Sequence, residues 1–300
     1  MQLEKINGNS YYIPAPTNIG VFQFKDKYTL LIDSGDNKQQ ARKIDELVQD
    51  RGLMIKHIAN THSHSDHAGG NLYFQEHYPG CLIYASAEEQ FFIENGTFFS
   101  TYLYGASPIK ELSRHFLKAH GNIIHSTLEP GTSRINDEKF EVISLPGHAL
   151  GSIALGTRDR VCYLGDALFS EEIIEKYSMP FLFDIEAQLR SYDRIAELDY
   201  DFFVLSHAAK IYSQAEIIDL ININRANVKH YLGLSLELMA QPKTREELLE
   251  ELSILKDLHF DFKEYYFSLS TTGAIIAYLY HREQLDYQIE SGKLYYYQKG

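Results

Sequence analysis

The segment Thr61-His62-Ser63-His64-Ser65-Asp66-His67 sets three imidazoles and a carboxylate between positions 62 and 67. Imidazole and carboxylate together suit zinc, iron or manganese. A helix would turn His62 and His64 to different faces, so the segment reads as a loop after a strand. Three further candidates lie downstream. His148 follows Ile143-Ser144-Leu145-Pro146-Gly147, Asp166 follows Val161-Cys162-Tyr163-Leu164-Gly165, and His207 follows Phe202-Phe203-Val204-Leu205-Ser206. Each sits just past an apolar, strand-like run. In layered α/β folds ligands gather at strand ends. Scattered surface histidines would rarely fall there at four separate points of the chain.

The elements that must hold these residues alternate between strand and helix periods. Tyr11–Pro14, Gly20–Phe24 and Tyr28–Asp33 read as a strand meander. Asp36–Arg51 reads as a helix with Ile44, Leu47 and Val48 on one face. Lys56–Asn60, Leu82–Ala85, Ile123–His125, Phe140–Leu145, Ser152–Gly156, Val161–Leu164 and Phe202–Leu205 read as strands. Gly69–His77 and Ile185–Leu198 read as helices. The aromatic-rich stretch Phe91–Phe116 reads as helical pieces joined by loops. After about Ser213 the pattern turns helical up to Pro242. Thr244-Arg245-Glu246-Glu247 fits a capping box that opens a second helix. A third helix is expected over Leu269–Glu283, and a hairpin over Leu285–Ile289 and Leu294–Tyr297. Residues 213–300 therefore read as a helical, winged-helix-like appendage to a unit spanning 1–212.

Composition weighs against several classes. The 300 residues carry 28 Lys and Arg against 41 Asp and Glu, a net charge of −13. Nucleic-acid binders normally present a basic face, and anionic membranes repel such a chain. The appendage repeats this locally. Positions 242–300 hold seven basic residues, Lys243 to Lys299, against ten acidic ones, Glu246 to Glu290. Its third helix is mostly apolar, so the appendage reads as a lid or a dimer contact rather than a DNA reader. Residues Met1–Asn9 do not read as a signal peptide, and no apolar run is long enough to span a bilayer. Cys81 and Cys162 are the only cysteines. They fit buried strand positions, and a cytoplasmic location is expected.

With these residues in view, the chain resembles the metallo-β-lactamase-fold hydrolases through their His-x-His-x-Asp-His segment and three later ligands. The resemblance covers roughly residues 1–212. It implies an α/β fold, an αββα sandwich with the C-terminal appendage attached. It implies two divalent metal ions, zinc first, with iron or manganese as alternatives. His62, His64 and His148 would hold one ion, Asp66, His67 and His207 the other, and Asp166 would bridge them. Asp33, in Leu31-Ile32-Asp33-Ser34-Gly35, matches a family aspartate that supports the ligand loop. Two cations about 3.5–4 Å apart can share a water and lower its pKa toward roughly 7. The resulting bridging hydroxide attacks a carbonyl or phosphoryl centre. Asp66 would both ligate and orient that nucleophile, as the catalytic residue.

Branch features sharpen the expectation. His64 stands where the oxygen-reducing flavodiiron branch has Glu. The filled ligand set also argues against the single-iron persulfide dioxygenases. The secreted β-lactamases carry an export signal and often a Cys ligand, neither of which is read here. Gly165-Asp166-Ala167-Leu168-Phe169 resembles the corresponding stretch of glyoxalase II. The expectation is a hydrolase of a small ester, thioester or lactone. The alternatives are a metal-dependent endoribonuclease or phosphodiesterase, and an iron-dependent sulfur or oxygen enzyme. The expected partner is a small molecule; nucleic acid and membrane are not expected, and a homodimer is left open.

Aromatic residues remain two-sided at this level. Phe91–Tyr104 suits either a substrate mouth or interior packing. Tyr177, Met179, Phe181 and Phe183 are read singly as packing residues. His115, His120 and His125 are read as surface or satisfied-core histidines, and Tyr295–Tyr297 as part of an edge strand.

Overall fold

The computed structural model describes residues 1–116 and 122–300, with the side chains of 114–116 excepted. Its first half builds one sheet of seven strands. β1 (Glu4–Asn7), β2 (Ser10–Ile13), β3 (Ile19–Gln23) and β4 (Tyr28–Ile32) form an antiparallel meander. β5 (Met54–Ala59), β6 (Leu82–Ala85) and β7 (Ser126–Thr127) then add in parallel beside β4. Parallel neighbours need crossovers. These are supplied by α1 (Lys38–Gln49), by α2 (Ser65–Ala68) with α3 (Asn71–His77), and by α4 (Ala87–Glu94), α5 (Phe98–Tyr104) and α6 (Lys110–Phe116).

The second sheet has six strands: β8 (Gly131–Ile135), β9 (Glu138–Ser144), β10 (Ile153–Thr157), β11 (Val161–Gly165), β12 (Phe202–Leu205) and β13 (Tyr212–Ser213). α7 (Glu171–Tyr177) and α8 (Ile185–Ala196) lie between β11 and β12, which pair in parallel. Every residue of β10 and β11 is buried. Strands covered on both faces read as continuous apolar runs.

One core fills the space between the sheets, with Phe22, Leu30 and Ile32 facing Phe140, Leu155 and Tyr163. Gly20 marks a close approach between them, since a Cβ there would meet the Tyr163 ring at 2.6 Å. A second core, including Ile44, Val48 and Phe74, lies between the first sheet and its helices. Helix, sheet, sheet and helix layers give the expected αββα sandwich.

The C-terminal part comprises α9 (Gln214–Leu238), α10 (Arg245–Lys256) and α11 (Phe262–His281), then the hairpin β14 (Leu285–Glu290) and β15 (Lys293–Gln298). Capping boxes at Ser213/Glu216, Thr244/Glu247 and Asp261/Glu264 start the three helices. Each satisfies backbone N–H groups that a helix start leaves open. These helices share one buried cluster with the outer face of the second sheet, in which Ile217, Leu249 and Ile276 join Leu145, Leu164 and Tyr192. Among the described residues no helix is long and apolar enough to cross a membrane.

Several element expectations shift. α11 begins at Phe262 rather than Leu269, which places Lys263, Glu264 and Phe267 on it. The strand expected at Ile123–His125 pairs instead through Ser126–Thr127. α7 was not foreseen. Cys81 and Cys162 are buried. His125 is exposed and accepts the Ile83 N–H through Nδ1. His120 and the His115 side chain lie outside the described residues.

Candidate metal centre

β5 ends at Ala59, and the chain runs through Asn60 and Thr61 into a loop that carries His62 and His64. Asp66 and His67 follow on the single-turn helix α2. Asp33 anchors this segment from the end of β4. Its carboxylate accepts the Thr61 N–H and Oγ–H, both at 2.8 Å, and lies 2.7 Å from His67 Nδ1. Asp33 holds φ at +66°, a left-handed conformation that costs free energy in a residue with a Cβ. Gly165 precedes Asp166 at φ +60°, and a Cβ there would meet the Thr61 side chain at 2.8 Å. A glycine at that point therefore lets two ligand-bearing strand ends approach each other.

His148 and His207 arrive from the second sheet. Each Nδ1 lies against a backbone carbonyl, Phe181 O at 2.9 Å and Pro16 O at 2.7 Å. A carbonyl only accepts, so Nδ1 carries the proton and a neutral ring presents a bare Nε2 to the centre.

All seven expected side chains come together. Asp166 Oδ2 lies 3.5 Å from His67 Nε2, 3.5 Å from His148 Nε2, 3.4 Å from His207 Nε2 and 4.0 Å from His62 Nε2. Asp66 Oδ2 lies 3.2 Å from His207 Nε2 and 3.4 Å from His67 Nε2, and it accepts the Thr17 hydroxyl at 2.9 Å. His64 Nδ1 stands 3.0 Å from His148 Nε2. Ligand atoms fall into three groups within 4.8 Å: His62 with His64 and His148; His62 with His67 and Asp166; Asp66 with His67 and His207.

The donor set fits divalent ions. His62 Nε2, His67 Nε2 and Asp166 Oδ1 are buried without a hydrogen-bond partner. Such polar atoms are costly to leave unpaired. Lone pairs of neutral imidazoles aimed at carboxylate oxygens need a proton or a cation between them. The two sides of the cluster differ in this. Burial holds His62, His64 and His148 below the usual histidine pKa. Burial also disfavours charge on His67 and His207, but Asp66 and Asp166 outweigh it and hold both above that value. Reciprocally, Asp66 and Asp166 stay below the ordinary carboxylate range despite burial, because His67 and His207 face them.

Five of the seven, His64, Asp66, His148, Asp166 and His207, form the floor of a cavity of about 900 Å³, while His62 and His67 are fully buried. Pro16, Thr17, Asp36 and Gln40 line one side. Tyr177, Met179 and Phe181, together with Lys256–Phe260 and Phe267 from the C-terminal part, line the other. Tyr177, Met179 and Phe181 thus line the cavity; Met179 is also part of a buried cluster and Phe181 packs beside Phe99, as their reading as packing residues expects, and of the three only Tyr177 is exposed. Phe183 does not line it; it lies exposed against the Tyr102 ring. From the Phe91–Tyr104 stretch, Phe99 packs edge-to-face against the His64 ring, with centroids 4.7 Å apart.

Some residues escaped the sequence reading. Thr17 and Thr61 are ordinary hydroxyl residues in sequence. The Asn224 carboxamide on α9 is equally unmarked: it accepts the Phe169 N–H at 3.0 Å and donates to its carbonyl at 2.8 Å. That clamp fixes the chain just past Asp166. A polar residue within an apolar helical stretch was the one available signal.

Comparison with known proteins agrees with this geometry. A sequence model of the metallo-beta-lactamase superfamily matches residues 12–207. A hydroxyacylglutathione hydrolase of Prochlorococcus marinus (strain MIT 9312) is 30% identical over 149 residues, 49% of this chain and 48% of that protein. The chain spans about half the length of the curated relatives it matches. A metallo-beta-lactamase family protein from Thermus thermophilus superposes with a TM-score of 0.73 at 21% identity, covering 97% of this chain and 99% of that one. A beta-lactamase domain protein from Burkholderia ambifaria gives a TM-score of 0.77 at 17% identity, over 99% and 93% of the two chains. At these identities the structural likeness speaks for the fold alone.

Proposed function

The chain belongs to the metallo-beta-lactamase superfamily, and from that premise we propose that it is a metal-dependent hydrolase of a small ester, thioester or lactone, using two divalent ions, zinc first. The observation that carries this reading is the set of buried, unpartnered ligand atoms at the floor of an open cavity. His62, His64 and His148 would hold one ion, Asp66, His67 and His207 the second, and Asp166 would reach both. When bound, the ions would supply Lewis acidity and a water that ionises near neutral pH.

The side chains have separable tasks. Asp33 fixes the His67 ring and its proton on Nδ1, leaving Nε2 free to coordinate. The carbonyls of Phe181 and Pro16 do the same for His148 and His207. Asp66 is held by the Thr17 hydroxyl, which it accepts at 2.9 Å, and its carboxylate would orient a water beside the ions. Residues 1–212 carry this chemistry, and residues 213–300 shape the mouth through the end of α10 and the start of α11. Thioesters stand first among substrates, supported by the hydroxyacylglutathione hydrolases among the relatives and by the Gly165–Phe169 stretch. The expected setting is the cytoplasm.

The test is a screen of thioesters, esters, lactones, phosphodiesters and RNA with zinc-, iron- and manganese-loaded protein. Hydrolysis of an acyl substrate that stops on chelation and returns with metal supports the reading. Cleavage of phosphodiesters alone overturns it.

A further inference from the structure

Three segments distant in sequence build an aromatic wall beside one floor histidine. Phe99 on α5, Phe181 after α7 and Phe267 on α11 have ring centroids 4.7, 5.6 and 6.4 Å from that of His64. Phe181 and Phe267 contact each other at 5.0 Å, and both line the cavity. Phe169, Met179, Leu258 and Phe260 continue the apolar lining. Outside the ligand set the charges lining the cavity are mixed in sign, Lys176, Lys256 and Lys263 against Asp36, Glu175, Asp257 and Glu264, so no single sign dominates the lining. Apolar surface beside a reaction centre gains free energy when a ligand covers it.

Resting on the hydrolase reading, we propose that the acyl group of the substrate is apolar, an extended alkyl or aryl chain lying along Phe181 and Phe267. The test uses p-nitrophenyl esters from acetyl to decanoyl with zinc-loaded protein. We expect kcat/KM to rise along the series by up to about fourfold per methylene, the value of burying one such group. Phe267→Ala flattens the slope, whereas Phe267→Leu, which keeps an apolar wall, retains most of it. A flat or falling series in the wild type overturns this proposal while leaving the hydrolase reading intact. Absence of hydrolysis on every ester and thioester overturns both.

A separate observation concerns Glu89 on α4. It is 1% exposed. Its Oε2 accepts the Ser63 N–H at 2.8 Å, and its Oε1 accepts the Gly151 N–H at 2.7 Å. Ser63 lies between His62 and His64, and Gly151 lies in the loop that carries His148. One carboxylate therefore ties together the two segments whose imidazoles form the all-histidine group. Ser86 adds a bond from Oγ to the Gly151 carbonyl at 2.7 Å.

Also on that reading, we infer that Glu89 is a positioning residue for the His62, His64 and His148 ligand group. A carboxylate offers two acceptor oxygens to two N–H donors. A carboxamide offers one, and its NH2 would face a donor. Glu89→Gln, nearly identical in shape, should weaken zinc at this group by about 10–100-fold, the usual range for a group that supports ligands. Equilibrium dialysis with elemental analysis should give two tightly held ions in the wild type and one in Glu89→Gln. Ser86→Ala, a milder change, should weaken the same ion less. Two ions held with unchanged affinity in Glu89→Gln, or equal weakening of both, overturns the inference. Failure of the wild type to bind metal overturns the hydrolase reading as well.

Discussion

The floor and the wall of the cavity are held by different forces. Floor side chains have a second, directional partner: Asp33 for His67, Phe181 O for His148, Pro16 O for His207, Thr17 for Asp66. The wall is rings against rings, at centroid distances of 5.0 to 6.4 Å. Hydrogen bonds fix angle as well as distance, whereas apolar contact fixes mainly volume. The floor should therefore tolerate almost no change, and the wall should tolerate substitutions of similar size. A fold can in this way keep one chemistry while its selectivity is altered.

The largest effect expected is in the floor. Asp166→Ala removes the carboxylate that faces four imidazoles. Hydrolysis should fall by on the order of 10³-fold as charge stabilisation is lost, measured as kcat/KM on the best acyl substrate. Retention within tenfold would break the contrast. Next comes Asp33→Asn, which keeps the shape and removes the charge beside His67. Metal affinity should fall by about 10–100-fold, read by competition with a chromogenic chelator. An unchanged affinity would show that the partner of His67 is dispensable.

Intermediate in effect is Asn224, which holds the backbone of Phe169. Asn224→Ala leaves buried backbone groups unpaired and should cost about 1–3 kcal/mol of stability. Urea unfolding of the metal-free protein measures this, and zinc binding should persist. The smallest effect belongs to the wall. Phe181→Leu conserves apolar character and should cost under about 1.5 kcal/mol, with only a few-fold change in kcat/KM. A loss comparable to that of Asp166→Ala would make Phe181 part of the chemistry and erase the distinction.

The floor was legible in sequence because each ligand type ends an apolar strand run, and chemistry restricts what may stand there. Asp33 was legible through its motif. The wall was not, because Phe99, Phe181 and Phe267 come from three segments, and a phenylalanine looks the same in a core or at a mouth. Glu89 follows Glu88 in the first turn of α4, where acidic residues are common for the helix dipole alone. Helix α7 has no buried residue and so no strong apolar face to detect. The first turns of α11 hold Phe262, Tyr265, Tyr266 and Phe267, which obscure a helical period; the Asp261/Glu264 capping box was the overlooked sign. At Ile123–His125, exposed Ile123 beside buried Ile124 imitates strand alternation, while pairing with β6 falls on Ser126–Thr127. The shift from alternating elements to helices near Ser213 suggested a separate appendage. Composition along the chain could not disclose that its helices complete the core behind the second sheet.

In the proposed function the floor holds two ions and hydrolyses an acyl bond through them. Elemental analysis of zinc-loaded, dialysed protein tests it, paired with the activity of the same sample before and after chelation. The expected result is two ions per chain, with hydrolysis lost on chelation and restored by zinc. A chain that retains no metal, or that hydrolyses its best acyl substrate equally well after chelation, would contradict it.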